Sequence, residues 1–169
     1  MRNNIATAYD WRDRNTFPAQ GKPNLAGNDG GAIYILPGGS VKVQVPISFI
    51  NNYASYFGGA VQNVGTLVFT ETAYFMGNTA HIGGALCADY SSVTTFKKTA
   101  TFEFNKTVKQ REINELGARY LASYGGAIAA FGPNIVTFKD NTEFHKNSAH
   151  SVSMAFNGAE NIASNNKVS

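Results

Sequence analysis

The chain has 169 residues and a net charge of +3, with 43% hydrophobic but only 15% charged residues. That is enough for one core, with charge well below the usual quarter and 17 glycines and many Asn, Thr and Ser in its place. The basic residues are dispersed, so nucleic acid is not an expected partner, and no apolar run reaches the ~18 residues of a membrane span.

Residues 1–29 carry no repeat and no apolar core of a signal peptide, and no targeting signal is visible elsewhere. They read as an N-terminal cap anchored by Trp11, because an open solenoid end exposes unpaired backbone.

From Gly30 a repeat sets in and runs to residue 154. Gly-Gly-Ala occurs as Gly30-Gly31-Ala32, Gly58-Gly59-Ala60, Gly83-Gly84-Ala85 and Gly125-Gly126-Ala127. Phe-x-x-Asn alternates with it, at Phe49 and Asn52, Phe75 and Asn78, Phe102 and Asn105, and Phe144 and Asn147. Six residues before each of these Phe residues stands another apolar position: Val43, Phe69, Phe96 and Phe138. Measured from Ala to Ala the repeats span 28, 25 and 42 residues, and 27 more if Val152-Ser153-Met154 is a degenerate fifth corner.

Within each repeat, runs such as Val41-Lys42-Val43 and Val93-Thr94-Thr95-Phe96 alternate at period two and predict strands. Three short strands per 25–28 residues predict a coil whose strands pair with their equivalents ~4.8 Å away. The expected fold is all-β, a single-stranded parallel β-helix of four to five rungs. In it the two aromatic series stack inside. The Gly pair turns a corner too crowded for a Cβ, and the motif Asn tolerates the left-handed turn conformation and hydrogen-bonds either a turn or its stacked equivalent. Lone Cys87, within Gly-Ala-Leu-Cys-Ala, reads as a small buried hydrophobe.

The third repeat is about 15 residues too long, and the excess lies at 106–124. Ile113, Leu116, Tyr120 and Leu121 fall at helical spacing there, which predicts a loop with one or two helical turns. Insertions in solenoids gather on one corner, often the binding face. This one is either a flap folded on the coil or an arm contacting a partner through Lys106, Lys109, Arg111, Arg119 and Tyr120. Residues 155–169 read as a polar half-rung or tail, leaving an end open to lateral or end-on association.

The eleven acidic residues are scattered. His81 and His150 hold equivalent corners two rungs, ~10 Å, apart, too far to share a metal. No catalytic residue, metal or cofactor is therefore expected, and the chain reads as a non-enzyme.

The repeated Gly-Gly-Ala-(Ile/Leu/Val) and Phe-x-x-Asn motifs resemble those of the passenger domains of chlamydial polymorphic outer membrane proteins. The resemblance covers residues 30–154 and implies a right-handed β-helix acting as a surface adhesin, with the paired motifs needed for adhesion. The partner is then a cell-surface receptor and the location extracellular or at the cell surface. The alternative is a small structural subunit among neighbouring subunits of an assembly, in an organelle lumen or a membrane-associated complex. Less expected is a carbohydrate-active β-helix enzyme.

Overall fold

The computed structural model describes residues 1–2, 5–6, 29–108, 110–114, 117–121, 123–132, 136–149, 155–157 and 167–168. Short strands wind in a coil. A first strand, β1 (Ile5–Ala6), precedes a rung formed by β2 (Ile33–Ile35), β3 (Ser40–Val43), β4 (Ile47–Ile50) and β5 (Tyr53–Ala54). The next rung comprises β6 (Val61–Asn63), β7 (Thr66–Phe69), β8 (Ala73–Met76) and β9 (Thr79–Ala80). A third has β10 (Leu86–Ala88), β11 (Val93–Phe96), β12 (Ala100–Glu103) and β13 (Lys106–Thr107), followed by β14 (Gln110–Asn114) and β15 (Gly117–Leu121). The stack continues through β16 (Ile128–Ala130), β17 (Val136–Phe138), β18 (Thr142–His145), β19 (Ala155–Asn157) and β20 (Lys167–Val168).

These strands form four parallel sheets along the coil, ordered β1-β5-β9-β13, β19-β16-β10-β6-β2, β17-β11-β7-β3 and β20-β18-β12-β8-β4. The expected parallel β-helix is thus present, but each complete rung has four strands where the sequence predicts three. The fourth is a two-residue strand just after the motif Asn, too short to carry a period-two signal.

The register is the one the spacing predicts. Phe49 pairs with Phe75, Phe75 with Phe102, and Phe102 with Phe144. Val43, Phe69, Phe96 and Phe138 line up likewise. The rings of the first series stack at 4.7–5.1 Å and those of the second at 4.7–5.0 Å. Between the series they meet edge to face at 5.9–6.3 Å. Phe49, Phe69, Phe75, Phe96 and Phe102 have no exposed surface. Burying each contributes roughly 1.5–3 kcal/mol, and each aromatic pair adds about 0.5–1.5 kcal/mol.

Beside the Phe stack runs a buried amide ladder. Asn52 donates from its backbone N–H and its Nδ2 to the Oδ1 of Asn78, at 3.0 and 2.9 Å. Asn78 repeats both bonds to Asn105, and Asn105 repeats them to Asn147. The second amide hydrogen points back a rung, from Asn78 to the Phe49 carbonyl, from Asn105 to that of Phe75 and from Asn147 to that of Phe102. Each buried amide is thereby satisfied on both sides.

The left-handed residue is not the motif Asn, as the sequence reading has it, but the one before it. Asn51, Phe104 and Lys146 have φ of 54°, 53° and 51°, and Gly77 has 65°. This kink turns the following Asn inward, into the ladder, where it is needed as a donor and acceptor.

The Gly pair has two separate duties. The first glycine, as at Gly58, has φ of 58°, and a Cβ there would lie 2.0 Å from the Val61 carbonyl oxygen. The second, as at Gly59, would put a Cβ 2.1 Å from the Gly84 oxygen of the next rung and 2.6 Å from the Thr79 nitrogen across its own. The coil is pinched at this corner, backbone against backbone, with no room for a side chain at the second glycine.

The two ends extend the same stack. Arg2 bridges to Ile50, and Ile5 pairs with Tyr53. At the other end Ala155 pairs with Ile128 and Val168 with Phe144. Trp11, His150 and the proposed corner at 152–154 lie outside the described residues.

Among the described residues of the insertion the predicted helical turns are absent. Strands β14 and β15 form an antiparallel hairpin with a two-residue connection between Asn114 and Gly117, and join none of the coil sheets. Gly117 lowers helix propensity by about 1 kcal/mol, and so short a helix would carry its nucleation cost alone. The hairpin instead satisfies its backbone across a ladder that sets Glu112 opposite Arg119.

Two substitutions test this account. Asn78→Ala removes one ladder member and strands the amide of Asn52 and the carbonyl of Phe49, so urea unfolding should show a loss of about 3 kcal/mol or more. A loss below about 1 kcal/mol would mean that the ladder is incidental. Gly59→Ala meets backbone on two sides and should cost at least as much.

Candidate functional site

The motif residues proposed from sequence are consumed by the interior. Asn52, Asn78, Asn105 and Asn147 are buried, as are Phe49, Phe75, Phe102 and Phe144 and Ala60, Ala85 and Ala127. Gly58, Gly59, Gly83, Gly84, Gly125 and Gly126 are buried too, and only Gly30, Gly31 and Ala32 of the first corner are half-buried. Any surface contact they serve passes through the coil they build.

The insertion brings some of its basic residues together. Arg111 is the cross-strand partner of Tyr120, and Arg119 that of Glu112, on the hairpin. Lys106 is exposed on β13 at its root, and Lys109 lies outside the described residues. The corner below is held by His81, whose Nδ1–H donates to the Val108 carbonyl at 3.1 Å and whose ring lies 5.3 Å from Tyr56. Burial lowers the His81 pKa, against a smaller opposing effect of that bond, and keeps it neutral.

The sequence reading missed a second feature, on the outer face of the sheet containing β2, β6, β10 and β16. Successive outward positions there are Tyr34, Gln62, Cys87 and Ala129. The small Cys87 and Ala129 leave a trough that larger residues roof over: Ile82, Cys87 and Ala129 are buried against Tyr56, Phe57, Tyr124 and Phe131. Part of this trough is an open pocket of about 300 Å³, with Gln62 and Cys87 as floor, Phe57 and Ile82 as one wall and Asp89, Tyr90 and Phe131 as the other. Cys87 is fully buried. Desolvation first, then Asp89 and Asp29, hold its thiol protonated and unreactive.

Asp29 stands just beyond the pocket, accepting a hydrogen bond from the Phe57 N–H at 3.3 Å. Its pKa rises from 3.8 to about 6, chiefly by desolvation, with Asp89 adding to the shift. Both carboxylates also raise the Tyr34 pKa, after burial. This flank is therefore a local region of negative potential on a chain of positive net charge.

Among the described residues, no cluster of three His, Cys, Asp or Glu could hold a metal, and no helix is long and apolar enough to cross a membrane.

The ladders and pinched corners define a parallel β-helix built from one repeated rung. Residues 46–64, which span Phe49 to Asn52 and the Gly58-Gly59-Ala60 corner, match the Chlamydia polymorphic membrane protein repeat, so the chain carries a repeat of that type. No curated protein and no solved structure matches the chain.

The raised Asp29 pKa has a direct consequence. Between about pH 4 and 6 the folded chain holds a proton that the unfolded chain has released, so this group's contribution to stability falls as pH rises through that window. His81 acts in the opposite sense, its contribution being lost as pH falls below its ordinary value of 6.5. The difference between the parent chain and Asp29→Asn, which keeps the acceptor for Phe57, isolates the first effect. The variant should gain relative stability from pH 4 to 6 in urea titrations, and parallel curves would show Asp29 to be no more desolvated than a surface carboxylate.

Proposed function

We propose that the chain is a non-enzymatic binding module, a surface adhesin built on repeats of the polymorphic membrane protein type, and that it holds a protein partner through the hairpin and the flank beside it. The observation that carries this reading is the division of labour within the rung. The motif residues are used up inside the coil, and the one large departure from the repeat is an exterior hairpin bearing Arg111, Arg119 and Tyr120. A solenoid with a fixed interior varies its recognition through corner insertions. The repeat family supports a location at the cell surface or associated with an outer membrane. This reading assigns the chain no turnover.

The register supplies the test. Thr107 is the rung equivalent of Ala80, and Tyr124 accepts from Gly83 as Ile82 does from Gly58. Excising 108–122 and joining Thr107 to Ser123 therefore restores a corner of the length seen before Gly83. Beads coated with the intact chain should adhere to cultured cells, and the excised variant should lose adhesion while keeping a cooperative melt. Adhesion by the excised variant at the intact level would refute the role given to the hairpin.

A second reading, a subunit docked end-on in a larger assembly, draws on one feature: among the described residues no strand pairs with the outer edge of β17. Such an edge accepts an added strand. Light scattering separates the two readings, with a stable monomer expected of the adhesin and concentration-dependent association of the subunit.

A further inference from the structure

We propose that the pocket on the outer face of β6 and β10 is a binding site for a primary alkylammonium group, with Gln62 as its hydrogen-bond acceptor and Phe57, Tyr90 and Phe131 as its aromatic walls. The site does not depend on the adhesion reading, and the hairpin supplies none of its lining.

The floor carries the argument. Gln62 is 3% exposed, and its Oε1 is buried without a hydrogen-bond partner while the residue lines the pocket. Buried acceptors are nearly always satisfied, and leaving one empty has a real cost. The buried asparagines differ: the motif amides are paired, and Asn63 donates to Thr94 and accepts from Gly65. The acceptor is covered while its residue lines the pocket, so a turn of the amide about its last bond presents it to a donor from outside.

The walls decide what kind of donor. The polar groups lining the pocket belong to Gln62, Asp89, Tyr90 and the protonated Cys87 thiol, and none of the lining residues is a cation. Asp29 extends the negative potential from the adjoining corner. Phe57 and Phe131 meet edge to face at 6.4 Å, and Tyr90 lies tilted on Phe131 at 6.0 Å, with Tyr90 itself 74% exposed. Aromatic faces beside carboxylates attract an organic cation. The Gln62 oxygen further requires an N–H, which excludes a quaternary ammonium. A volume of about 300 Å³ suits a short alkylamine or one lysine side chain.

The experiment follows amide shifts of the full chain on titration with n-butylammonium, with Nα-acetyl-lysine N-methylamide, and with 1-butanol and methyl glucoside as neutral probes. Both amines should saturate shifts at residues lining the pocket, and the alcohol and the sugar should bind at least about tenfold more weakly, as expected for loss of a charge-assisted bond. Gln62→Met keeps the volume and removes the acceptor, and should weaken amine binding by about tenfold. Tyr90→Ala changes an exposed residue, so the fold is retained, and should weaken it several-fold. Tighter binding of the lysine derivative would identify a lysine of a partner as the natural occupant, and tighter binding of butylammonium a free amine. Equal binding of butanol, preference for the sugar, or no shift with either amine would overturn the proposal.

Discussion

The structure depends on one constraint: every Asn of the Phe-x-x-Asn column must find its equivalent in the next rung. An unpaired amide in an apolar interior costs several kcal/mol. In this coil the acceptor for Asn52 is Asn78, the acceptor for Asn78 is Asn105, and the acceptor for Asn105 is Asn147. The Phe stacks supply most of the apolar burial, but a stack of rings tolerates a slip far better than a ladder of amides does. Division of roles follows from this. The aromatic columns hold the rungs together, and the Asn column fixes which residue faces which. A slip by a single residue would reverse every inward side chain of a strand and leave four amides without partners.

Because the interior is fixed in this way, sequence freedom is displaced to the outside. Both features that offer contact to another molecule arise at positions the ladders do not govern. The hairpin leaves the corner between β13 and Gly125, and the pocket depends on outward positions where Gln62, Cys87 and Ala129 replace the larger Tyr34. The two lie on neighbouring parts of one flank, since Tyr124, which follows β15, packs in the same cluster as Phe57 and Phe131. Low overall charge fits this picture: with few ionic groups on the coil, two carboxylates near one pocket are enough to set its local sign.

The ladders were legible in the sequence because each demands the same residue at the same interval, so periodicity alone exposes Phe, Asn and Gly. Features that demand no particular residue were not. The fourth strand of the rung uses Tyr53–Ala54, Thr79–Ala80 and Lys106–Thr107, two-residue pieces whose one common feature is a small buried second residue. The rung position of residues 1–2 and 5–6 was hidden because Met1, not Phe, occupies the place of Phe49, as the Arg2 to Ile50 bridge shows. The hairpin was misread because Ile113, Leu116, Tyr120 and Leu121 happen to fall at helical spacing, while strands of five residues give alternation little length to declare itself. The pocket was invisible for a different reason. Its lining comes from three rungs, and its defining property, an acceptor with nothing to accept, exists only in three dimensions.

The equivalence of corners has a consequence for how such a chain can change. Cutting at one Gly-Gly-Ala and rejoining at the next, for example by removing residues 58–82, would bring Phe57 directly before Gly83 and close both aromatic columns and the amide column over the gap. Loss of one residue inside a strand has no such repair. The natural unit of gain and loss is therefore the whole rung, about 25 to 28 residues, and a lineage carrying this fold can lengthen or shorten its rod by recombination between corners without re-solving its core.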